Sequence, residues 1–259
     1  MILDEIAEKT KQRVAGQEAE VTLSEMRAAA ERLDKNTGFP FRKALAGSEL
    51  SFICEVKKAS PSKGVIAEDF PYLDIAREYE AAGAAAISCL TEPYWFRGSN
   101  TYLREISAAV NIPVLRKDFT VSEYMIYEAK TLGAADILQL HGSEDAEYIA
   151  RLRKLTSAPL IKAVKVISRE DIIRADELDV DFLLLDGGTG SGMMFDHALV
   201  DPSQIRKPFF LAGGLTPENI AEAAERIRPY GVDLSSGIET DRLKDREKIL
   251  AAVKNIRNN

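Results

Sequence analysis

Residues 209–236 read FFLAGGLTPENIAEAAERIRPYGVDLSS and contain one complete repeat of the chain. The run 209–212 is apolar, too short for a helix, and closed by two glycines, as a buried strand and its turn would be. Residues 217–227 then read as an amphipathic helix, opened by a Thr216-Pro217 pair suited to a cap followed by the first helical position. A second short apolar run, 232–236, follows. Strand, helix and strand in this order imply a crossover between parallel neighbours.

Outward from this unit the pattern recurs. Strand candidates fall at 51–56, 85–90, 113–117, 136–141, 160–166, 181–186, 209–212 and 232–236, with starts 21 to 34 residues apart. Helical patterns occupy 73–82, 121–132 and 145–155 between them. Eight such units predict an α/β fold, the (β/α)8 barrel of the TIM type; a doubly wound open sheet is the alternative. Residues 1–48 form an N-terminal helical extension, with patterns at 2–14 and 23–32, that covers the barrel's bottom or shapes its mouth.

With 46% apolar residues and 29% charged, the 259-residue chain has an ordinary globular composition, read as one barrel domain. The net charge of −7 argues against a nucleic-acid or membrane-surface partner. No apolar run approaches ~18 residues, and the first twenty residues alternate acid and base too densely for a signal peptide. Cys54 and Cys89 lie in apolar runs without a ligand-like spacing, which suggests buried thiols in a cytoplasmic protein. His141 and His197 are too far apart for a metal motif; His141 reads as a strand-end polar residue and His197 as a surface one. Neither a metal nor a cofactor is expected.

In a barrel of this kind, chemistry gathers at the carboxyl ends of the strands. Glu55 and Lys57 share the inward face of strand one, and an inward ion pair needs a ligand or a structural partner to justify its burial. Ser60 follows in a Ser-Pro-Ser turn suited to phosphate oxygens or to an ordinary loop. Lys117 ends strand three facing inward, where neighbouring cations or desolvation would make it a general acid. Trp95 and Phe96 after strand two, with Phe119 after strand three, would wall an aromatic substrate, although a local hydrophobic plug fits Trp95 and Phe96 equally. Asp186 ends strand six and runs into the glycine loop containing Gly188, which is neither GxGxxG nor a Walker A sequence. Gly213 and Gly214 after strand seven, with Ser235, Ser236 and Gly237 after strand eight, occupy the two loops where barrels frequently bind phosphate. Asp186 is then an acid or base above that phosphate, or a cap on its own loop.

These residues carry a resemblance. Glu55-Val-Lys57-Lys-Ala-Ser60-Pro-Ser-Lys-Gly64, Thr91-Glu92 with Phe96-Arg-Gly98-Ser, and Pro113-Val-Leu-Arg-Lys117-Asp-Phe119 resemble indole-3-glycerol phosphate synthase of tryptophan biosynthesis, over roughly residues 1–138. From Gln139 onward the chain is similar instead to phosphoribosylanthranilate isomerase, through Leu183-Leu-Leu-Asp186-Gly-Gly-Thr-Gly190, Phe195-Asp196, Leu211 to Asn219 and Gly231 to Glu239. Two complete barrels would need nearly twice this length, so the resemblance implies one mosaic barrel, synthase-like over 49–138 and isomerase-like over 139–259. Joints between strands four and five and between strands eight and one are where packing defects or exposed apolar patches are expected, in a monomer or weak homodimer.

For the synthase, the resemblance implies that Lys117 is the general acid of ring closure, that Lys57 contacts the substrate carboxylate and assists proton transfer, that Glu55 orients them, and that Ser60 helps bind phosphate. The family's glutamate on strand five and its Asn-Asn-Arg motif on strand six are replaced by Lys162-Ala-Val-Lys165-Val166 and Leu185-Asp186-Gly187. For the isomerase, Asp186 would be the general acid; the strand-one cysteine base is replaced by Lys57, and Cys54 has the opposite parity. Three functions follow from this: synthase chemistry, intact or impaired, on a small phosphorylated aromatic substrate; isomerisation with a substitute base; or a recombined or engineered barrel that binds phosphate with little turnover.

Overall fold

The computed structural model describes residues 2–33, 38–46, 50–61, 63–66, 68–134, 137–140, 144–156, 158–187, 195–241 and 243–257. The eight apolar runs form strands β1 (Ser51–Val56), β2 (Ala86–Leu90), β3 (Val114–Lys117), β4 (Leu138–Leu140), β5 (Leu160–Lys165), β6 (Phe182–Asp186), β7 (Phe209–Leu211) and β8 (Gly231–Leu234). All their pairings are parallel, in the order β3-β2-β1-β8-β7-β6-β5-β4, and β3 and β4 lie side by side to bring the sheet round into a barrel.

Three helices precede the barrel: α1 (Ile2–Glu20), α2 (Leu23–Glu31) and α3 (Pro40–Leu45). The crossovers carry α4 (Tyr72–Ala82), α5 (Asn100–Ala109), α6 (Glu123–Thr131), α7 (Ala146–Leu155), α8 (Arg169–Asp176) and α9 (Ile220–Ile227), and α10 (Arg246–Arg257) closes the chain. Among the described residues strict alternation fails once: the β6–β7 crossover has two 3-10 turns, His197–Leu199 and Pro202–Gln204, each opened by an aspartate that accepts a backbone N–H. The start of α9 also differs from expectation. Thr216 and Pro217 lie in the preceding turn, where the Thr216 carbonyl accepts from Asn219 and Ile220, and Asn219 is the cap.

Side-chain alternation divides the core in two. Phe52, Cys54 and Val56 of β1 join the layer shared with the helices, whereas Ile53 packs inside the barrel with Ala86, Leu115, Ile161, Leu184 and Phe210. Phe41 and Leu45 of α3 plug that interior from the amino end, so this part of the extension covers the bottom. The other end of the extension reaches the mouth. Arg13 of α1 donates to both oxygens of Asp118 at 3.0 and 3.1 Å, and Lys9 stands 5.3 Å from the Tyr94 ring. The extension thus reaches both ends of the barrel, through different helices.

The expected joints are intact: Ser51 to Cys54 pair with Gly231 to Leu234, and Leu138 to Leu140 with Leu160 to Lys162. The irregularity falls instead between β3 and β4, which no ladder joins among the described residues. A cavity of about 200 Å³ opens beside this seam, lined by Arg116, Met125, Ile126, Leu138 and Gln139 among others. Gln139 there keeps a buried amide nitrogen without a hydrogen bond. No helix among the described residues is long and apolar enough to cross a membrane.

Candidate active site

Inward parity at the carboxyl ends gathers the charged groups. On β1 the inward face runs Ile53, Glu55 and then Lys57 just beyond the strand, and on β3 it runs Leu115 and Lys117. On β6, Phe182 and Leu184 face inward below Asp186, and the β5–β6 register sets Lys165 beside that aspartate. On β8, Val232 and Leu234 face the helices, which turns Asp233 and Ser235 inward.

Glu55, Lys57 and Ser235 form one unit across the β1–β8 joint. Lys57 donates to Glu55 Oε1 and, at 3.0 Å, to Ser235 Oγ, which itself donates to Glu55 Oε1 at 2.7 Å. Tyr79 holds the strand in place by donating to the Glu55 carbonyl. Burial opposes ionisation of Glu55, but the charge and hydrogen bond of Lys57, the Ser235 hydroxyl and Lys244 outweigh it and hold the carboxyl down at about 2. Burial likewise opposes the charge on Lys57, yet Glu55 raises its pKa. This pair is therefore ionised at neutral pH.

Lys117 is in a different state. It is half-buried, and its amino group makes no hydrogen bond among the described residues. Burial draws its pKa below the usual lysine value, with Lys57 acting in the same direction and Glu55 and Asp233 opposing. A cation that is easier to deprotonate and uncommitted to a partner has the properties of a general acid.

The aromatic residues lie in the loops after β2 and β3. Glu92, fully buried, accepts from the backbone N–H groups of Tyr94, Trp95 and Phe96 at 2.8 to 3.0 Å and so fixes the loop after β2. The Phe96 and Phe119 rings lie 6.3 Å apart, and both residues, like Trp95, remain partly exposed. Arg116 points away, to Thr91, Asn100 and Glu128, binding the outer side of β3 to α6.

The two small-residue loops meet closely. Gly213 and Gly214 have φ of 81° and 67°, which glycine adopts without strain. A Cβ on Gly237 would lie 1.7 Å from the Leu215 carbonyl oxygen, so the β8 loop sits against the β7 loop through a position only glycine fits. Ser236 and Gly237 belong to a 3-10 turn, Ser236–Ile238. The Ser235 hydroxyl is turned to Lys57 and Glu55 rather than to this cradle. Ser60 lies in a small antiparallel hairpin, Ala59–Ser60 with Gly64–Val65, and its Oγ accepts from the Lys63 N–H. Gly188 and His141 lie outside the described residues.

Two groups carry more than the sequence suggested. Glu239 accepts from Lys244 at 2.8 Å and from Lys63 at 3.4 Å, joining the β1 and β8 loops over the site. Asp233 has a buried Oδ1 with no hydrogen-bond partner among the described residues, a condition that costs about 1–3 kcal/mol. An acid inside the apolar run Gly231-Val-Asp-Leu was the available signal. His197 is buried and T-stacked on Phe195, not on the surface: the 3-10 turn folds it inward, and burial, then Arg226, lower its pKa. Both cysteines are buried, and desolvation pushes each thiol up to about 12; Cys54 faces the helix layer and cannot act as a base in the barrel.

The sequence and the fold are similar to those of known proteins. The sequence profile of Indole-3-glycerol phosphate synthase matches residues 3–184, and that of N-(5'phosphoribosyl)anthranilate (PRA) isomerase matches residues 120–255. An indole-3-glycerol phosphate synthase of Ruminiclostridium cellulolyticum is 51% identical over 155 residues, 60% of each chain. One of Lacticaseibacillus casei is 36% identical over 253 residues, covering 97% of this chain and 89% of the relative. The chain matches 53 to 60% of the length of three of these synthases, at 50 to 51% identity. Among solved structures, monomers of the dimeric phosphoribosylanthranilate isomerase from Thermotoga maritima superpose with a TM-score of 0.64 at 25% identity, covering 81% of this chain and all of the other. A second isomerase structure, holding reduced 1-(o-carboxyphenylamino)-1-deoxyribulose 5-phosphate, gives 0.63 at 26%, with the same coverage.

Proposed function

The chain belongs to the indole-3-glycerol phosphate synthase family and, over its second half, to the phosphoribosylanthranilate isomerase family, and from that premise we propose that it closes and decarboxylates carboxyphenylamino-deoxyribulose phosphate on one mosaic barrel. The observation that carries this reading is the pairing of an unpartnered, desolvated Lys117 with the ionised Glu55–Lys57–Ser235 unit at the same mouth. Residues 49–138 supply those lysines, and 139–259 supply the loops around Gly213, Gly214, Ser236 and Gly237 that bind phosphate through their backbone N–H groups.

In this reaction the ring carbon bearing the carboxylate attacks the ketone, and Lys117 protonates the oxygen as negative charge develops there. A fixed cation at that point stabilises the transition state more than the ground state. Lys57 stays charged beside Glu55 and binds the substrate carboxylate until carbon dioxide leaves. Trp95, Phe96 and Phe119 wall the aromatic ring, and Ser60 and the Ser235 N–H assist the phosphate. Formation of fluorescent indole-3-glycerol phosphate tests the reading directly: Lys117→Ala should lower it by roughly 10²–10⁴-fold, and an unchanged rate would remove the acid.

Isomerisation is the second reading, favoured by the inward placement of Asp186 beside Lys165. It predicts a turnover that Asp186→Asn abolishes and Lys117→Ala leaves intact.

A further inference from the structure

The synthase reading leaves loss of water, the last step, without a carboxylate on strand five, whose inward end is Lys165. We propose that Asp233 of β8 accepts that proton, an inference that rests on the synthase reading and deepens it.

Three observations support it. Asp233 is turned into the barrel: Val232 and Leu234 pack among the helices on the other face, and its register partner is Ile53, two residues before Glu55. Its Oδ1 is sealed from solvent and accepts no hydrogen bond among the described residues, while Ser235, two residues on, is bonded to Lys57 and Glu55. The charges that act on it come from three other strands: Glu55 and Lys57 from β1, Lys117 from β3 and Asp186 from β6. Burial comes first and Glu55 second in raising its pKa to about 7, against the pull of Lys117 and Lys57. An acid so placed is a usable base near neutrality.

After ring closure and loss of carbon dioxide, the new ring carries a hydroxyl on the former ketone carbon and two hydrogens on the carbon beside nitrogen. Asp233 takes one of these as a proton. The released electron pair forms the ring double bond, the C–O bond breaks, and the hydroxyl leaves as water with a proton from Lys57. Asp233 then returns its proton to Lys57, and Lys117 recovers one from solvent, which balances the cycle.

The test is the turnover of Asp233→Asn and Asp233→Glu beside the wild-type chain across pH 5.5 to 8.5, with binding of the reduced carboxyphenylamino-deoxyribulose phosphate measured in parallel. The expected result is a wild-type rate that rises with pH through a midpoint near 7, a loss of roughly 10²–10³-fold and of that limb in Asp233→Asn, partial recovery in Asp233→Glu, and analogue binding within threefold throughout. Product formation by Asp233→Asn within threefold of wild type overturns the proposal and leaves the synthase reading standing. No product from the wild-type chain overturns both. Should Asp233→Asn not fold, a wild-type rate without any limb between pH 6 and 8 overturns the assignment.

Discussion

Replacing Gly237 with alanine probes the joint between the two small-residue loops. The added Cβ would stand 1.7 Å from the Leu215 carbonyl oxygen and 2.6 Å from its carbon, both backbone atoms that no side-chain rotation can move. Ordinary contact begins at about 3.4 Å, so the loops must part by the difference, about 1.7 Å. Overpacking of this kind costs about 1–3 kcal/mol. In a chain of this size each kcal/mol lowers the melting temperature by ~2–4 °C. Parting the loops also misaims the N–H groups proposed to hold phosphate, and losing one charge-assisted hydrogen bond costs about 1.5–3 kcal/mol, or roughly 10- to 100-fold in Kd. Calorimetric titration with the reduced substrate analogue, paired with thermal melts, reads both effects. A Gly237→Ala chain that melts lower but binds within twofold of wild type would refute the phosphate role of this loop, and one unchanged in both would refute the close approach itself.

Lys117→Ala should lower synthase turnover by roughly 10²–10⁴-fold with little change in analogue binding, because its amino group is uncommitted in the folded protein. Arg13→Ala removes a partner from Asp118, whose side chain is fully buried; since Thr91, Arg116 and the Phe119 N–H still bond that carboxylate, a loss of about 1–3 kcal/mol in urea unfolding is expected rather than collapse. Cys54 and Cys89, with thiols at about 12 and no exposure, should resist a thiol reagent at pH 8 until denaturant is added. Glu55 titrates at about 2 in the fold against 4.5 ordinarily. Its contribution is therefore complete above the unfolded value and is lost as pH falls from about 4.5 towards 2, a window that Lys57→Met should flatten in acid-unfolding curves.

The strands and their inward residues were legible because period-two alternation in short apolar runs is a local property. Glu55, Lys57 and Lys117 needed only parity to be placed at the mouth. The start of α9 differs because Thr216-Pro217 satisfies the local rule for a helix start, while the observed cap is Asn219, three residues later, whose side chain turns back to accept from the Thr216 N–H. His197 was misread because a lone polar residue in an irregular crossover gives no period from which to infer burial. Asp233 was passed over for a related reason. Its chemistry depends on Glu55, Lys57, Lys117 and Asp186 arriving from three other strands, and on an oxygen left without a donor. The seam at β3 and β4 also could not be read locally, since closure of the sheet depends on every strand's tilt and stagger together.

The central claim is that lysines from the first half work on a substrate cradled by loops of the second half within one barrel. Its most direct test is indole-3-glycerol phosphate fluorescence after mixing the wild-type chain with carboxyphenylamino-deoxyribulose phosphate, beside a binding titration with the reduced analogue. Product is expected, its formation lowered by roughly 10²–10⁴-fold in Lys117→Ala while the analogue still binds. Tight binding with no product from the wild-type chain would contradict it.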